Sequence, residues 1–229
     1  MMFPMFDPTF IILIPALLLA AFAQMKVKSA YAKYGAMRAL RGATADSVAR
    51  ALLDGFGLSG VRIERVSGEL TDHYDPRAKV LRLSDSVGGS SSIAAIGVAA
   101  HEVGHAVQDK EDYAPLRFRN AFVPVANIGS MASYPLFFVG LVMGIGPLLN
   151  IGILLFSGVV LFHLVTLPVE FDASSRALRV LGSTNTLSQG ELSGAKSVLD
   201  AAALTYVAAT VMALLTLIRF LMIANSRRR

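Results

Sequence analysis

Four apolar stretches decide what this chain can fold into: about residues 8–25 (PTFIILIPALLLAAFAQM), 122–145, 148–167 and 203–224. Each approaches the ~17–25 apolar residues that a helix needs to cross a bilayer. In hydrocarbon the backbone must satisfy its own N–H and C=O groups, so such stretches are read as helices. Composition agrees, with 54% hydrophobic and 16% charged residues and a mean hydropathy of +0.58. A soluble domain carries about 25% charged residues. The 229 residues leave room for one compact domain beside the spans but not for two large soluble ones. There are no cysteines, which excludes disulfides and thiolate metal sites. The net charge of +5 comes from basic residues flanking the apolar stretches, a juxtamembrane pattern and not a nucleic-acid stripe.

The first span reads as an uncleaved anchor. Ala21-Phe22-Ala23 resembles a small-residue cleavage site, but residues 1–7 lack the Lys or Arg of a signal peptide. Pro15 and Pro135 are expected to kink their helices, and Gly146-Pro147 reads as a tight turn that makes spans two and three a hairpin. Residues 26–120 read as a folded domain. In it Thr44 caps a helix, TADSVARALLDGF, with Val48, Ala51, Leu52 and Phe56 on one side and Gly57 as its stop. VRIERV alternates as a short strand, and ELTDHYDPRAKVLRLS reads as strand, turn at Asp75-Pro76, and strand. Ser90 to Ser92 supply caps for a helix from near Ile93 to about Asp109. The expected organisation is a 1–25 anchor, a 26–120 catalytic domain, a 121–168 hairpin, a polar 169–202 segment helical at its start, and a 203–229 helix with a basic tail. No internal repeat or low-complexity tract is present.

The segment AAIGVAAHEVGHAVQD carries the chemistry. On a helix, His101 and His105 are one turn apart and project from the same face. Two imidazoles at that spacing can share one tetrahedral Zn²⁺, with Glu102 beside them as a general base toward water activated there. With 4 His and 6 Glu in the chain, His-Glu-x-x-His is expected by chance about 0.002 times, and it falls inside a helical pattern as the chemistry requires. The plain alternative is two helix-surface histidines with a neighbouring acid.

A catalytic zinc site takes three protein ligands and leaves one position open. His73, His163, Glu170 and Asp172 are available for the third. Glu170 is the expected one, because in LPVEFDASSRAL it directly follows the third span, where an acid beside the bilayer needs a reason to be there. A solvated interfacial carboxylate is its plain alternative. His163 lies in an apolar span and reads more simply as a polar residue hydrogen-bonded within a helix bundle.

LTDHYDPRAKVLRLS, VAAHEVGHAVQ and LPVEFDASSRAL together resemble the YugP-like neutral zinc metallopeptidases of bacterial membranes, over about residues 1–225. The layout is more distantly similar to the HtpX-type and CAAX-prenyl membrane proteases. The resemblance implies a mainly α membrane protein with a small β-sheet, in which a zincin-like (gluzincin-type) catalytic domain joins about four transmembrane helices and holds one Zn²⁺. In the distant relatives a Glu-x-x-Ala-Asp-type segment supplies the third ligand, which the similarity maps onto Glu170, with Ala173 also matching. Ser174 then stands where those relatives carry an Asp that supports a ligating His, which leaves Asp172 as the nearest candidate for that support. By resemblance the Thr71 to Tyr74 strand, or its partner, pairs with an extended substrate; the plain reading of DHYDPR is a turn. An electrophile for the oxyanion is expected too, with His73, Tyr206 and Arg176 as candidates. An interfacial Tyr such as Tyr206 needs no special explanation.

If Glu170 meets the two histidines, residues 26–120 and 169–202 share a membrane face, which a two-span hairpin satisfies. Lys26, Lys28, Lys33, Arg38 and Arg41 after the first span, and Lys110, Arg117 and Arg119 before the second, place that face in the cytoplasm of a multi-pass bacterial inner-membrane protein. Arg227-Arg228-Arg229 argue the other way. The expected activity is zinc-dependent endoproteolysis of a membrane-associated protein or peptide. A non-proteolytic zinc-binding membrane scaffold is the alternative, against which Glu102 is not a ligand that a structural site at this spacing needs. A small-solute transporter is a third reading. Polar span residues such as His163 and Asn127 are few, and no repeat relates the two halves.

Overall fold

The computed structural model describes residues 8–226. Residues 1–7, whose lack of basic charge bears on the anchor reading, and the basic run 227–229 lie outside the described residues. A 3-10 stretch, Pro8–Leu13, leads into α1 (Ile14–Gly35). The later long helices are α5 (Ala114–Met143), α6 (Gly146–Ser183) and α7 (Gln189–Ser226). By length and composition, four helical segments can each cross a membrane.

One expectation is corrected and a second is extended. The α5–α6 turn falls at Gly144 (φ +71) and Ile145, while Gly146-Pro147 opens α6. Glycine takes the left-handed conformation that ends a helix, whereas proline fits a first turn, where its missing N–H leaves nothing unsatisfied. The polar 169–202 segment is helical on both sides of a short turn, because α6 runs unbroken past Pro168 to Ser183 and α7 begins at Gln189.

The chain falls into two compact units. Residues 8–23, 117–168 and 204–226 make the span unit. Its core includes Phe137 and Phe220, stacked with centroids 4.0 Å apart, and Phe156. A Cβ on Gly140 would lie 2.5 Å from the Leu149 nitrogen, and one on Gly152 2.7 Å from the Phe137 nitrogen. Glycine therefore lets α5 and α6 pack backbone to backbone, the usual device where lipid supplies no hydrophobic drive between helices.

Residues 24–116 and 169–203 make the second, motif unit. Its α2 (Ala45–Gly55) is capped by Thr44, whose side chain accepts from Ser47 N, and Gly57 follows at φ +66. β1 (Arg62–Val66), β2 (His73–Asp75) and β3 (Val80–Ser84) form a sheet in the order β1-β3-β2. β2 and β3 are an antiparallel hairpin, its turn closed by Asp75 Oδ1, which accepts from Arg77 N and Ala78 N at 2.9 and 3.1 Å. β1 pairs parallel with β3. A short α3 (Asp85–Gly88) then leads to α4 (Ile93–Lys110), capped by Ser92, which accepts from Ala95 N.

Helix α4 is buried on nearly all sides, so its sequence is rich in Ala and Gly. A Cβ on Gly104 would sit 2.6 Å from the Ala173 carbonyl oxygen of α6, and one on Gly97 would sit 3.3 Å from Ala195 Cβ of α7. These small residues bring α4 against the neighbouring helix backbones. That approach sets where the site can form.

Candidate metal centre

His101 and His105 lie on α4, and Glu170 lies on α6 across the Gly104–Ala173 contact. One ligand atom from each of the three falls within 4.8 Å of the others. His101 Nε2 is 3.3 Å and His105 Nε2 3.7 Å from Glu170 Oε2. Ligands about 2.0–2.1 Å from a tetrahedral zinc stand roughly 3.3 Å from one another, so the spacing fits that ion. The Glu170 side chain is 3% exposed, and the imidazoles are 14% and 12% exposed. Burial works against charge on His105, but Glu170 and Glu102 outweigh it and hold its pKa above the ordinary imidazole value. A pocket that biases a buried imidazole toward the cation is one that favours a bound cation.

Both imidazoles are held from behind. His101 Nδ1 lies 3.1 Å from Ser174 Oγ, and His105 Nδ1 lies 3.0 Å from Gln108 Oε1. Gln108, fully buried, donates through Nε2 to the Val169 carbonyl at 2.9 Å and to Asp172 Oδ2 at 2.8 Å. Arg176 Nε donates to the same Asp172 oxygen, and its Nη1 donates to Glu111 Oε2, each at 2.5 Å. With Nδ1 engaged, Nε2 of each ring is the nitrogen left to face a metal.

Glu102, 8% exposed, is gripped from the sheet, where Tyr74 N donates to its Oε2 at 3.0 Å. The same tyrosine donates through its hydroxyl to Asp109 Oδ2 at 2.7 Å, an oxygen that also takes Lys79 Nζ at 2.5 Å. Burial, and next the Asp109 carboxylate, raise the Tyr74 pKa and keep the phenol neutral. The edge strand β2 is thus fastened to α4 at two points, and its Tyr74 N–H is turned out of the sheet toward Glu102.

Residues 9–225 match a protein family described as "Putative neutral zinc metallopeptidase". The chain belongs to that family. Among curated relatives, the protein of Bacillus subtilis (strain 168) named "Putative membrane protease YugP" is 49% identical over 210 residues, 92% of this chain and 93% of that one. No solved structure matches the chain. Zinc is the metal that the family description implies, and the His101, His105 and Glu170 group could hold it.

The other residues singled out in the sequence fall elsewhere within this family fold. His73 is exposed, with Nδ1 2.8 Å from the Thr71 carbonyl and Nε2 3.4 Å from Arg82 Nη1. Arg176 is engaged by two carboxylates, Glu111 and Asp172, and lies over the Tyr113 ring. Asp172 itself reaches no imidazole directly; Gln108 stands between it and His105. Ser174, the departure from the distant relatives, contacts His101 on its own. Tyr206 and the alternative ligand His163 belong to the span unit, on α7 and α6. Gln108 was missed by sequence reasoning, although its place one turn after His105 on a helix with few exposed residues was a usable signal.

Proposed function

We propose that the protein is an integral-membrane zinc metalloendopeptidase of gluzincin type, with His101, His105 and Glu170 as metal ligands and Glu102 as general base. The observation that carries this reading is the three ligand atoms within 4.8 Å of one another, with Glu102 next in sequence to the first. When bound there, zinc supplies a Lewis acid that makes water acidic near neutral pH and polarises the scissile carbonyl. Glu102 takes the proton of the attacking water and delivers it to the leaving amine. The Tyr74 N–H fixes one Glu102 oxygen and leaves the other for that exchange. An extended substrate adding as a strand beside β2 would pair with its backbone groups other than the Tyr74 N–H, which Glu102 takes.

Glu170→Ala is the direct test of the ligand set. Losing an outer partner of a zinc ligand costs ~10–100-fold in affinity, and losing the ligand itself is expected to cost more. Zinc affinity of the detergent-purified protein, measured by chelator competition, reads this. Unaltered affinity would remove Glu170 from the set.

The basic residues flanking spans one and two argue for a motif unit in the cytoplasm. The chain has no cysteine, so Arg62→Cys, at a side chain 70% exposed, gives a single thiol. An impermeant thiol reagent is expected to label it only after cells are opened. Labelling in intact cells would put the site on the outer face.

A further inference from the structure

Gln108 is a fully buried amide side chain on the motif helix, and its hydrogen bonds leave it no choice of orientation. One end faces the Val169 carbonyl and the Asp172 carboxylate, at 2.9 and 2.8 Å. The carbonyl has no hydrogen to give, and the Asp172 oxygen already accepts from Arg176 Nε at 2.5 Å. That end must therefore be the NH₂ group. The other end is then the carbonyl, and it lies 3.0 Å from His105 Nδ1. A carbonyl can only accept, so Nδ1 carries the hydrogen, and in the neutral ring the lone pair is then on Nε2, on the Glu170 side. His101 lacks such a device, since Ser174 Oγ can donate or accept.

From this we infer that Gln108 is a positioning residue: it fixes the tautomer and ring plane of His105 so that Nε2 presents a lone pair to the metal, and the Asp172–Arg176–Glu111 chain behind it fixes Gln108. The inference rests on the metal-centre reading above. It adds a residue outside the ligand set and gives Asp172 an indirect role. The competing account is structural: Gln108 ties α4 to the Val169 carbonyl of α6 and only fills the core.

The two accounts separate in a set of variants of the full-length, detergent-purified protein, with zinc affinity measured by chelator competition. Gln108→Met keeps the volume and removes both the acceptor and the donor, and is expected to weaken zinc binding ~10–100-fold. The tautomer is the second readout, taken from the ¹⁵N shifts of the His105 ring in the full-length, detergent-purified, metal-free protein at a pH where the ring is neutral. Positioning predicts the hydrogen on Nδ1 in the native protein and a mixture of tautomers in Gln108→Met, whereas a purely structural role predicts the same His105 tautomer in both. Should Gln108→Met fail to fold, the native protein decides alone, a hydrogen on Nδ1 supporting the inference and one on Nε2 overturning it. Native affinity in Gln108→Met beside a loss in Glu170→Ala overturns the positioning role only. Native affinity in both removes the metal-centre reading, and this inference with it.

Discussion

Glu102→Gln is expected to leave zinc bound and to lower peptide hydrolysis by about 10²–10⁴-fold, the usual contribution of a general base. The substitution is close to isosteric, and the structure determines how the new amide would sit. Tyr74 N–H, 3.0 Å from Glu102 Oε2, requires an acceptor. The carbonyl oxygen of the introduced amide satisfies it, which turns the NH₂ group to where the second carboxylate oxygen stood. An amide nitrogen has no lone pair free to take a proton from water. The trio of His101, His105 and Glu170 does not include Glu102, so bound zinc should stay at the native level. Metal analysis and casein cleavage on the same preparation read both halves. Unchanged cleavage would sink the general-base role. Loss of zinc together with activity would make Glu102 part of the metal-holding structure instead.

How far the sequence led depended on whether a contact is local. His101 and His105 sit at i and i+4 of one helix, so their common face follows from helix geometry alone. The caps Thr44 and Ser92 are equally local, and the side chains of both accept the backbone N–H three residues on. Glu170 is far from the motif in sequence, and only its unusual place after an apolar span, with the family resemblance, pointed to it. The parallel pairing of β1 with β3 was not legible, because alternation in VRIERV says which residues share a face and not which strand lies beside them. Gln108 is local to His105, three residues on along the same helix, but its anchor at the Val169 carbonyl lies on the facing helix. The hold of Ser174 on His101 crosses between the two helices, and the sequence carries no trace of that. Arg176, one of the candidates beside His73 and Tyr206 for the oxyanion, is held by Glu111 and Asp172, and the nearness of Glu111, 65 residues away in sequence, is likewise tertiary.

Gly104→Ala is expected to destabilise the protein by about 1–3 kcal/mol, the cost of overpacking a close-packed interior, and to weaken zinc binding as well. Alanine is the better helix former by about 1 kcal/mol, so propensity alone would predict the opposite sign. Sterics decides. The added Cβ would stand 2.6 Å from the Ala173 oxygen and 3.1 Å from its Cα. Both are backbone atoms and cannot rotate away, so α4 and α6 must move apart. That seam is also the one across which the site is assembled: His101 and His105 flank Gly104 on α4, and Glu170 lies one turn before Ala173 on α6. Separation therefore draws Glu170 away from both imidazoles, now 3.3 and 3.7 Å from its oxygen. A loss of ~1.4 kcal/mol in metal binding is a tenfold change in affinity. Gly190→Ala on α7 is the matched control, since nothing lies within 4 Å of its added Cβ, and it should be neutral or slightly stabilising. Thermal unfolding with and without zinc, beside chelator competition, separates the two consequences. The zinc-dependent part of the stability should shrink in Gly104→Ala and stay whole in Gly190→Ala. Equal behaviour of the two variants would mean that the α4–α6 approach does not hold the metal ligands in register.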